Sequence, residues 1–127
     1  KGLVQVIEIK KSKYGRGVFA RRDIKKGELI HVAPVIVIKA EEFPLIDKTV
    51  LSNYVFHWSQ TNDDCALALG YGSLFNHSYT PNAIVKIDTE KKTINFIAYR
   101  DIKEGEEIFI NYNGDPNDQS PLWFKVL

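Results

Sequence analysis

Cysteine is nearly absent from this chain, and no pattern of metal ligands replaces it. The 127 residues include one cysteine, Cys65, and three histidines that lie far apart at His31, His57 and His77. A single cysteine cannot form an internal disulfide, and no zinc-ligand spacing is present. We therefore expect no metal site and a reducing, intracellular compartment, either the cytoplasm or the nucleus.

The chain also lacks an excess of charge of one sign and any long apolar run. Lysine and arginine number 17 against 16 acidic residues, for a net charge of +1. Such a balance does not favour a direct nucleic-acid site. No apolar run approaches the roughly 18–20 residues of a membrane span, so we expect no membrane segment. The length suits a single domain over residues 1–127.

Short runs rich in β-branched residues, separated by turns, make up most of the chain and predict a mainly β fold. Strands are expected at 3–9, 18–20, 29–38, 65–69, 83–87, 93–99 and 107–112, with 83–87 and 93–99 forming a hairpin. Residues 10–17 are expected to form a polar loop, and Pro34 is expected to mark an edge or a break in the sheet. A short helix is expected at 40–46, interrupted by Pro44, and 53–58 is compatible with strand or helix.

The pattern Arg-Asp-Ile-Lys-x-Gly-Glu occurs twice, at 22–28 and at 100–106. Gly27 and Gly105 occupy the place where such a turn requires a positive φ. Two interpretations are open. Either two similar turns arose by convergence, or the chain contains two related β-lobes around a central segment.

Three segments contain the residues that suggest chemistry. They are Tyr-Gly-Arg-Gly-Val-Phe-Ala at 14–20, Tyr-Gly-Ser-Leu-Phe-Asn-His-Ser-Tyr-Thr-Pro-Asn at 71–82, and Gly-Glu-Glu-Ile-Phe-Ile-Asn-Tyr at 105–112. The two glycines of the first indicate a turn or a close approach of the backbone to a ligand, without the spacing of a dinucleotide-binding loop. Residues 76–82 indicate a hydrogen-bonded loop or a ligand site, because asparagine offers both donors and an acceptor.

Taken singly, the remaining polar residues suggest structural roles. Tyr112 ends an apolar strand, which favours a position at the edge of the core over a catalytic role. Glu106 and Glu107 are expected on a solvated face, and they cannot form a paired acid–base site because successive strand residues point to opposite faces. Cys65 lies in an apolar run and is expected in the core rather than at a reactive site.

In this order, the three segments resemble the SET family of protein lysine methyltransferases. The family has G-x-G near its start, N-H-S-x-x-P-N in the middle and G-E-E-[IL]-x-[IFV]-x-Y near its end, matched here at 15–17, 76–82 and 105–112. The match runs from about residue 10 to residue 113. Residues 66–78 and the Tyr-Val-Phe at 54–56 are most similar to minimal stand-alone members of viral and bacterial type.

The resemblance implies a mainly β SET-domain (β-clip) fold of several small sheets, with few short helices. It also implies a C-terminal pseudoknot, in which the last segment passes through a loop of the preceding chain. S-adenosyl-L-methionine would bind on one face, and a substrate lysine would enter from the other through a narrow channel. The tail 114–127 would close the cofactor site.

The resemblance also implies roles for individual residues. Tyr112 would be the catalytic tyrosine, and Tyr54 would line the lysine channel. The cofactor would be held by Gly15, Arg16, Gly17, Asn76, His77, Tyr112 and Trp123, the last by stacking on the adenine. Ile110 and Val85 stand where members that add a single methyl group often have aromatic residues. They imply products beyond monomethyl-lysine.

The implied activity is methylation of a lysine-containing protein, a histone tail or another basic protein. Five acidic residues would favour a lysine-rich peptide if they flank the channel: Glu104, Glu106, Glu107, Asp115 and Asp118. Because the minimal members are dimers, a homodimer is expected, and delivery into a host cell is left open. The alternatives are a catalytically inactive SET-like peptide-binding module and an unrelated β-clip domain.

Overall fold

The regular structure of the computed structural model, which describes residues 5–122, is mostly two small sheets. Their strands are β1 (Ile7–Ser12), β2 (Gly15–Ala20), β3 (Leu29–Ile38), β4 (Val55–His57), β5 (Cys65–Ala68), β6 (Asn76–His77), β7 (Ala83–Asp88), β8 (Thr93–Ala98) and β9 (Glu107–Ile110). Helix is confined to α1 (Phe43–Ile46) and short 3-10 turns at Ala40–Glu42, Val50–Asn53 and Gly72–Leu74 within these residues. The prediction of a mainly β fold with few short helices is confirmed.

The strand order places the last strand of the chain inside the first sheet. That sheet has the order β1-β2-β9-β6, and the second has the order β4-β5-β3-β8-β7. β9 pairs antiparallel with β2 and parallel with β6. The predicted hairpin is β7 and β8, paired from Ala83↔Ala98 to Asp88↔Thr93.

The core lies between the two sheets and follows the period of two along each strand. In β8, Ile94, Phe96 and Ala98 are buried while the residues between them are more exposed. The ring of Phe96 stacks on that of Phe75 with a centroid distance of 4.3 Å. Cys65 is buried, as expected for a core thiol, and burial raises its pKa. Apolar burial on this scale supplies most of the driving force for folding.

The prediction of a polar loop over 10–17 is wrong. β1 and β2 form a continuous hairpin in which Lys10 pairs with Gly17 and Ser12 pairs with Gly15. Polar residues are tolerated there because most of them are exposed or only partly buried, and an antiparallel pair can face water on one side. Residues 53–58 also divide, since a 3-10 turn ends at Asn53 and β4 begins at Val55. The predicted first strand began at residue 3, but residues 1–4 lie outside the described part.

Pro34 neither ends nor interrupts its strand. β3 pairs with β8 as far as Pro34 and with β5 from Val35 onwards. The proline therefore lies where one ladder ends and the other begins, a place where a missing N–H disrupts neither pairing. The expected break is wrong, and β3 is an interior strand rather than an edge, so Pro34 marks a change of partner strand.

The repeated heptapeptides contact each other reciprocally. Ile24 and Ile102 exchange both backbone hydrogen bonds at 2.8 Å. The Asp101 carboxylate accepts the N–H of Lys26, and the Asp23 carboxylate accepts the N–H of Glu104, each at 2.8 Å. Each copy therefore caps the other, which gives the repeat a structural reason.

The two glycines of the repeat have the same unusual conformation. Gly27 and Gly105 both have φ of +87°, as the sequence predicted for their turns. The Gly27 N–H donates to the carbonyl of Ala98, and the Gly105 N–H donates to that of Ala20, both at 2.8 Å. Each turn thus attaches to the end of the strand that precedes the other turn, and this equivalence supports the interpretation as two related β-lobes.

Asn82 holds β9 in place from the side chain. Its Nδ2 donates to the carbonyl of Glu107 at 2.9 Å, and its Oδ1 accepts the N–H of Phe109 at 2.7 Å. The side chain is 1% exposed, so these bonds replace the neighbouring strand that β9 lacks at this point. The backbone N–H of Ser78 donates to the carbonyl of Ile110, the last residue of β9. The Tyr79 hydroxyl donates to the carbonyl of Ser120. These contacts place the C-terminal segment across residues 76–82, as the predicted pseudoknot requires.

Asn82→Ala should destabilise the fold by about 2–4 kcal/mol, because two buried backbone groups of β9 lose their partners. Urea unfolding at neutral pH measures this change. Asn117→Ala is the matched control, since Asn117 is exposed and should change stability by less than about 0.5 kcal/mol. Equal stabilities of the two variants would contradict the role given to Asn82.

Candidate active site

Two cavities meet at Tyr112. The first, here called the glycine-side cavity, has a volume of about 360 Å³ and is lined by Tyr14, Gly15, Arg16, Tyr54, Ser73, Leu74, Asn76 and Tyr112. The second, here called the tyrosine cleft, has a volume of about 160 Å³ and is lined by Asn53, Tyr54, Val55, Phe56, His57, Ser73, Phe75, Val85, Ile87, Asn111, Tyr112, Asn113 and Gly114. Both share Tyr54, Ser73 and Tyr112, so these residues form the boundary between two approaches to one point.

Tyr112 is fixed by two hydrogen bonds to the chain around β6. Its hydroxyl donates to the carbonyl of Phe75 at 2.7 Å, and its backbone N–H donates to Nδ1 of His77 at 2.9 Å. Both acceptors are close because β6 and β9 are parallel neighbours, with His77 opposite Ile110. The pairing of these strands thus sets the position and direction of the phenol.

The Tyr112 phenol stays protonated at all physiological pH values. Burial, together with the nearby Tyr54 and Glu107, raises the pKa of Tyr112 to about 12. A phenol with this pKa does not act as a general base near neutral pH. It can donate its proton to the carbonyl of Phe75 and offer its oxygen lone pairs as acceptors.

Tyr54 is attached to the opposite wall through its backbone. It follows the 3-10 turn Val50–Asn53, and its N–H donates to the carbonyl of Leu51 at 2.9 Å. The Ser73 hydroxyl lies within hydrogen-bond distance of two carbonyls, that of Tyr54 at 3.0 Å and that of Ala68 at 2.9 Å. Ser73 therefore ties the Tyr54 backbone to β5 at the boundary of the two cavities.

Asn76 joins the first and second predicted motifs. Its Nδ2 donates to the carbonyl of Arg16 at 2.9 Å and to Oε2 of Glu107 at 2.7 Å. Oε1 of Glu107 accepts the hydroxyl of Ser12 at 2.9 Å. The three sequence motifs therefore converge on one hydrogen-bonded network beside the glycine-side cavity.

Glu107 is the site residue that sequence reasoning missed. It was expected on a solvated face, but its carboxylate lies half-buried against β1, β2 and β6. Gly17 makes this possible, because a Cβ there would lie 2.1 Å from Oε2 of Glu107 and 2.7 Å from Nδ2 of Asn76. The alternation along β9, with Ile108 and Ile110 in the core, was the available signal. This alternation placed Glu107 on the face opposite the core but did not predict its hydrogen-bond partners.

His77 supports the site from behind. It is 4% exposed, and burial lowers its pKa below the usual value of 6.5. Its ring packs edge-on against Tyr79, with a centroid distance of 4.5 Å, and lies 5.2 Å from that of Tyr112. A neutral ring that accepts the Tyr112 N–H at Nδ1 carries its proton on Nε2. The ring therefore positions Tyr112, and it lies outside the lining of both cavities.

Some of the other predicted site residues line a cavity, and others do not. Gly15 and Arg16 line the glycine-side cavity, whereas Gly17 lies buried beneath it. Trp123 lies outside the described residues. Val85 lines the tyrosine cleft, but Ile110 is 1% exposed and belongs to the core, so its predicted place in the channel wall is wrong.

Neither cavity has an acidic residue in its lining among residues 5–122. None of the five acidic residues is therefore a lining residue of either cavity, and the preference for a lysine-rich peptide stays a prediction. Over the same residues, no group of three metal-ligating side chains occurs. Nor does any helix there have the length and apolar character to cross a membrane.

Known proteins are similar to this chain in sequence and in fold. A family model described as the SET domain matches residues 15–113. The chain belongs to the SET-domain family. A Schizosaccharomyces pombe histone-lysine N-methyltransferase specific for H3 lysine-37 is 39% identical over 112 residues, which cover 87% of this chain and 71% of that enzyme. An Aspergillus oryzae histone-lysine N-methyltransferase specific for H3 lysine-36 is 30% identical over 95% of this chain but only 13% of its own length.

Solved structures agree with the family assignment. The crystal structure of a candidate histone methyltransferase from Plasmodium falciparum matches with a TM-score of 0.72 and 34% identity over 97% of this chain and all of that one. The Polycomb Repressive Complex 2 of Chaetomium thermophilum, bound to S-adenosylmethionine, matches with a TM-score of 0.75 and 26% identity over 91% of this chain and 16% of that chain. The predicted family and its assignment to the protein-lysine methyltransferases are confirmed.

The SET domain should lose stability as the pH falls below about 6.5. Burial lowers the pKa of both His31 and His77, so the unfolded state binds protons first and is favoured as the pH falls towards the lowered values. Urea unfolding between pH 7.5 and 5.5 measures the slope. His77→Gln, which keeps an acceptor for the Tyr112 N–H, should flatten it, whereas the exposed-site control His57→Gln should not. Identical slopes in all three proteins would exclude this linkage.

Proposed function

We propose that this SET domain transfers methyl groups from S-adenosyl-L-methionine to the neutral amine of a lysine in a histone or another basic protein. The observation that carries the proposal is the meeting of two separate cavities at Tyr54, Ser73 and Tyr112. Two substrates can approach such a point from opposite sides. The names of the relatives, which act on lysines of histone H3, support the substrate class.

The residues of the glycine-side cavity fit the proposed cofactor. When bound, S-adenosylmethionine supplies a methyl group on a sulfonium cation. Gly15 and Arg16 offer backbone groups along one wall, and Asn76 offers its amide on another. Tyr14 adds an aromatic ring, held edge-on against Phe109 with a centroid distance of 5.8 Å. Polar backbone, amide and ring surfaces together suit an amino-acid group joined to a nucleoside.

The tyrosine cleft fits an uncharged lysine amine. Its walls include Phe56, Phe75 and Val85, and no described carboxylate lines it. Free lysine has a pKa near 10.4, so its neutral form costs roughly 4 kcal/mol near pH 7.4. An apolar cleft without a carboxylate disfavours the ammonium form and lowers the pKa of a lysine that enters. We propose that its proton leaves to water at the cleft mouth.

Tyr112 is the proposed catalytic residue of this boundary. Its pKa of about 12 and its bond to the Phe75 carbonyl hold the hydroxyl oxygen neutral and in one direction. The oxygen can then accept weak C–H···O contacts from a polarised methyl group. Its main contribution would be alignment of the reacting groups, together with Tyr54 on the opposite wall.

An inactive peptide-binding module is the alternative, and the intact network disfavours it. Loss of activity would be expected to accompany damage at Tyr112 or Asn76. Both residues are present, and both are held by short hydrogen bonds. Methylation of a histone would place the protein in the nucleus of the cell that contains the histone. The homodimer and delivery into a host cell stay predictions.

Tyr112→Phe should reduce turnover by about 100-fold while changing the affinity for S-adenosylmethionine less than about threefold, because the lost hydroxyl acts mainly in the transition state. Calorimetry and transfer of labelled methyl to a histone peptide array measure both. The pH–rate profile between pH 7 and 10 should keep its shape, since Tyr112 does not titrate there. Tyr79→Phe loses a comparable hydroxyl outside both cavities and serves as the control. Unchanged turnover would make Tyr112 a packing residue only, and wild-type protein that binds no cofactor would refute the proposed function.

Val85→Tyr should shift the products of a long reaction towards monomethyl-lysine. The wild-type wall at Val85 is small and apolar, which leaves room for an amine that already carries a methyl group. Mass spectrometry with excess cofactor should therefore detect dimethyl-lysine from the wild-type protein. Val37→Ile, a substitution in a partly buried position outside both cavities, is a suitable control. A wild-type product that stops at one methyl group would show that another wall sets the limit.

A further inference from the structure

Glu107 occupies a position that the proposed chemistry does not by itself require. Its half-buried carboxylate accepts hydrogen bonds from Ser12 on β1 and Asn76 on β6. Among residues 5–122, the ion pairs are Arg22–Glu28, Lys39–Asp64 and Arg100–Glu106, and none includes Glu107. Burying a carboxylate without a basic partner costs free energy, which suggests a functional reason for its position.

The hydrogen bonds of Asn76 determine which way its amide faces. An amide nitrogen has two N–H donors, and both acceptors near it, the Arg16 carbonyl and the Glu107 carboxylate, can only accept. The nitrogen must therefore face these two groups, since a flipped amide would place three acceptors together. Asn76 also lines the glycine-side cavity, and no described side chain or backbone N–H donates to its Oδ1. The group left for a ligand is an acceptor.

We propose that Glu107 is a positioning residue that fixes the Asn76 amide so that Oδ1 faces the cavity as an acceptor for the α-ammonium group of an amino-acid ligand. This inference rests on the proposed function, because it assumes that the amino-acid part of S-adenosylmethionine lies beside Asn76. Glu107 reaches only as far as Asn76 and acts through it. Gly17 belongs to the same device, because any side chain there would displace the carboxylate.

The carboxylate favours the same ligand by its charge. It lies one hydrogen bond, 2.7 Å, from the amide that lines the cavity. A negative charge at that depth attracts a cation more strongly than it would in water, because the surroundings screen it less. Arg100 neutralises the neighbouring Glu106 at 3.3 Å, so the two successive glutamates differ in role although they are adjacent.

The test compares two ligands on three variants. S-adenosylhomocysteine carries the α-ammonium group, and its analogue without the α-amino group does not. Glu107→Met removes the acceptor, Glu107→Gln keeps one by turning its oxygen to Asn76 and its nitrogen to Ser12, and Glu106→Met is the matched control. Calorimetry gives the affinity of each ligand, and a thermal melt confirms that each variant is folded.

We expect Glu107→Met to weaken the affinity for S-adenosylhomocysteine about tenfold and the affinity for the analogue less than twofold. Glu107→Gln should recover most of that loss, and Glu106→Met should bind both ligands as the wild type does. Equal weakening of both ligands in Glu107→Met, or no recovery with glutamine, would overturn the positioning role. If wild-type protein binds neither ligand, the proposed function itself fails. If it binds both equally well, only the placement of the ammonium beside Asn76 fails.

Discussion

The parallel pairing of β6 with β9 is the constraint on which the site depends. Parallel neighbours cannot be joined by a tight turn, so the chain between them must leave the sheet and return. Here it forms the β7–β8 hairpin, a strand pair of the second sheet, before the repeated turn brings it back. Asn82 then bonds the backbone of β9 on its open side. Tyr112, the proposed catalytic tyrosine, lies two residues beyond the end of β9, so its position follows from this pairing.

The reciprocal turns explain how so short a strand is held. β9 has four residues, of which the first two pair with β2 and the last two pair with β6. The Asp23 and Asp101 carboxylates cap opposite copies of the turn, which fixes the point where β9 begins. An error of one residue at that point would turn Glu107 into the core and Ile108 out of it, because side chains alternate along a strand. The two repeated turns therefore fix the register of β9 and, through it, the positions of the side chains at the site.

The local sequence pattern predicted the strands whose two faces differ in polarity. It failed where the structure of a segment depends on which strand pairs with it. β8 and β9 alternate clearly, but the polar β1–β2 hairpin has no such signal, and Pro34 depends on which neighbour pairs with each half of β3. The convergence of Asn76 and Tyr112 came from the family resemblance and not from periodicity. Glu107 was misplaced because alternation gives the face of a side chain but not what covers that face. Ile110 was placed in the channel wall from the family resemblance alone.

The distribution of charge across the boundary has a physical logic that follows from these positions. On the side of the glycine-side cavity lies the carboxylate of Glu107, which has no ion-pair partner among residues 5–122 and would stabilise the proposed positive ligand. On the side of the tyrosine cleft no described carboxylate lies in the lining, which would disfavour the ammonium form of the proposed lysine substrate. Tyr112 stands between them as a neutral phenol, and burial, together with Tyr54 and the same carboxylate, raises its pKa to about 12. A tyrosinate there would stabilise the lysine ammonium and so oppose the proton loss that transfer needs. A phenol with the ordinary pKa of about 10 is already neutral at pH 7.4. The raised pKa of Tyr112 extends that neutrality to the more alkaline pH at which a lysine amine loses its proton readily.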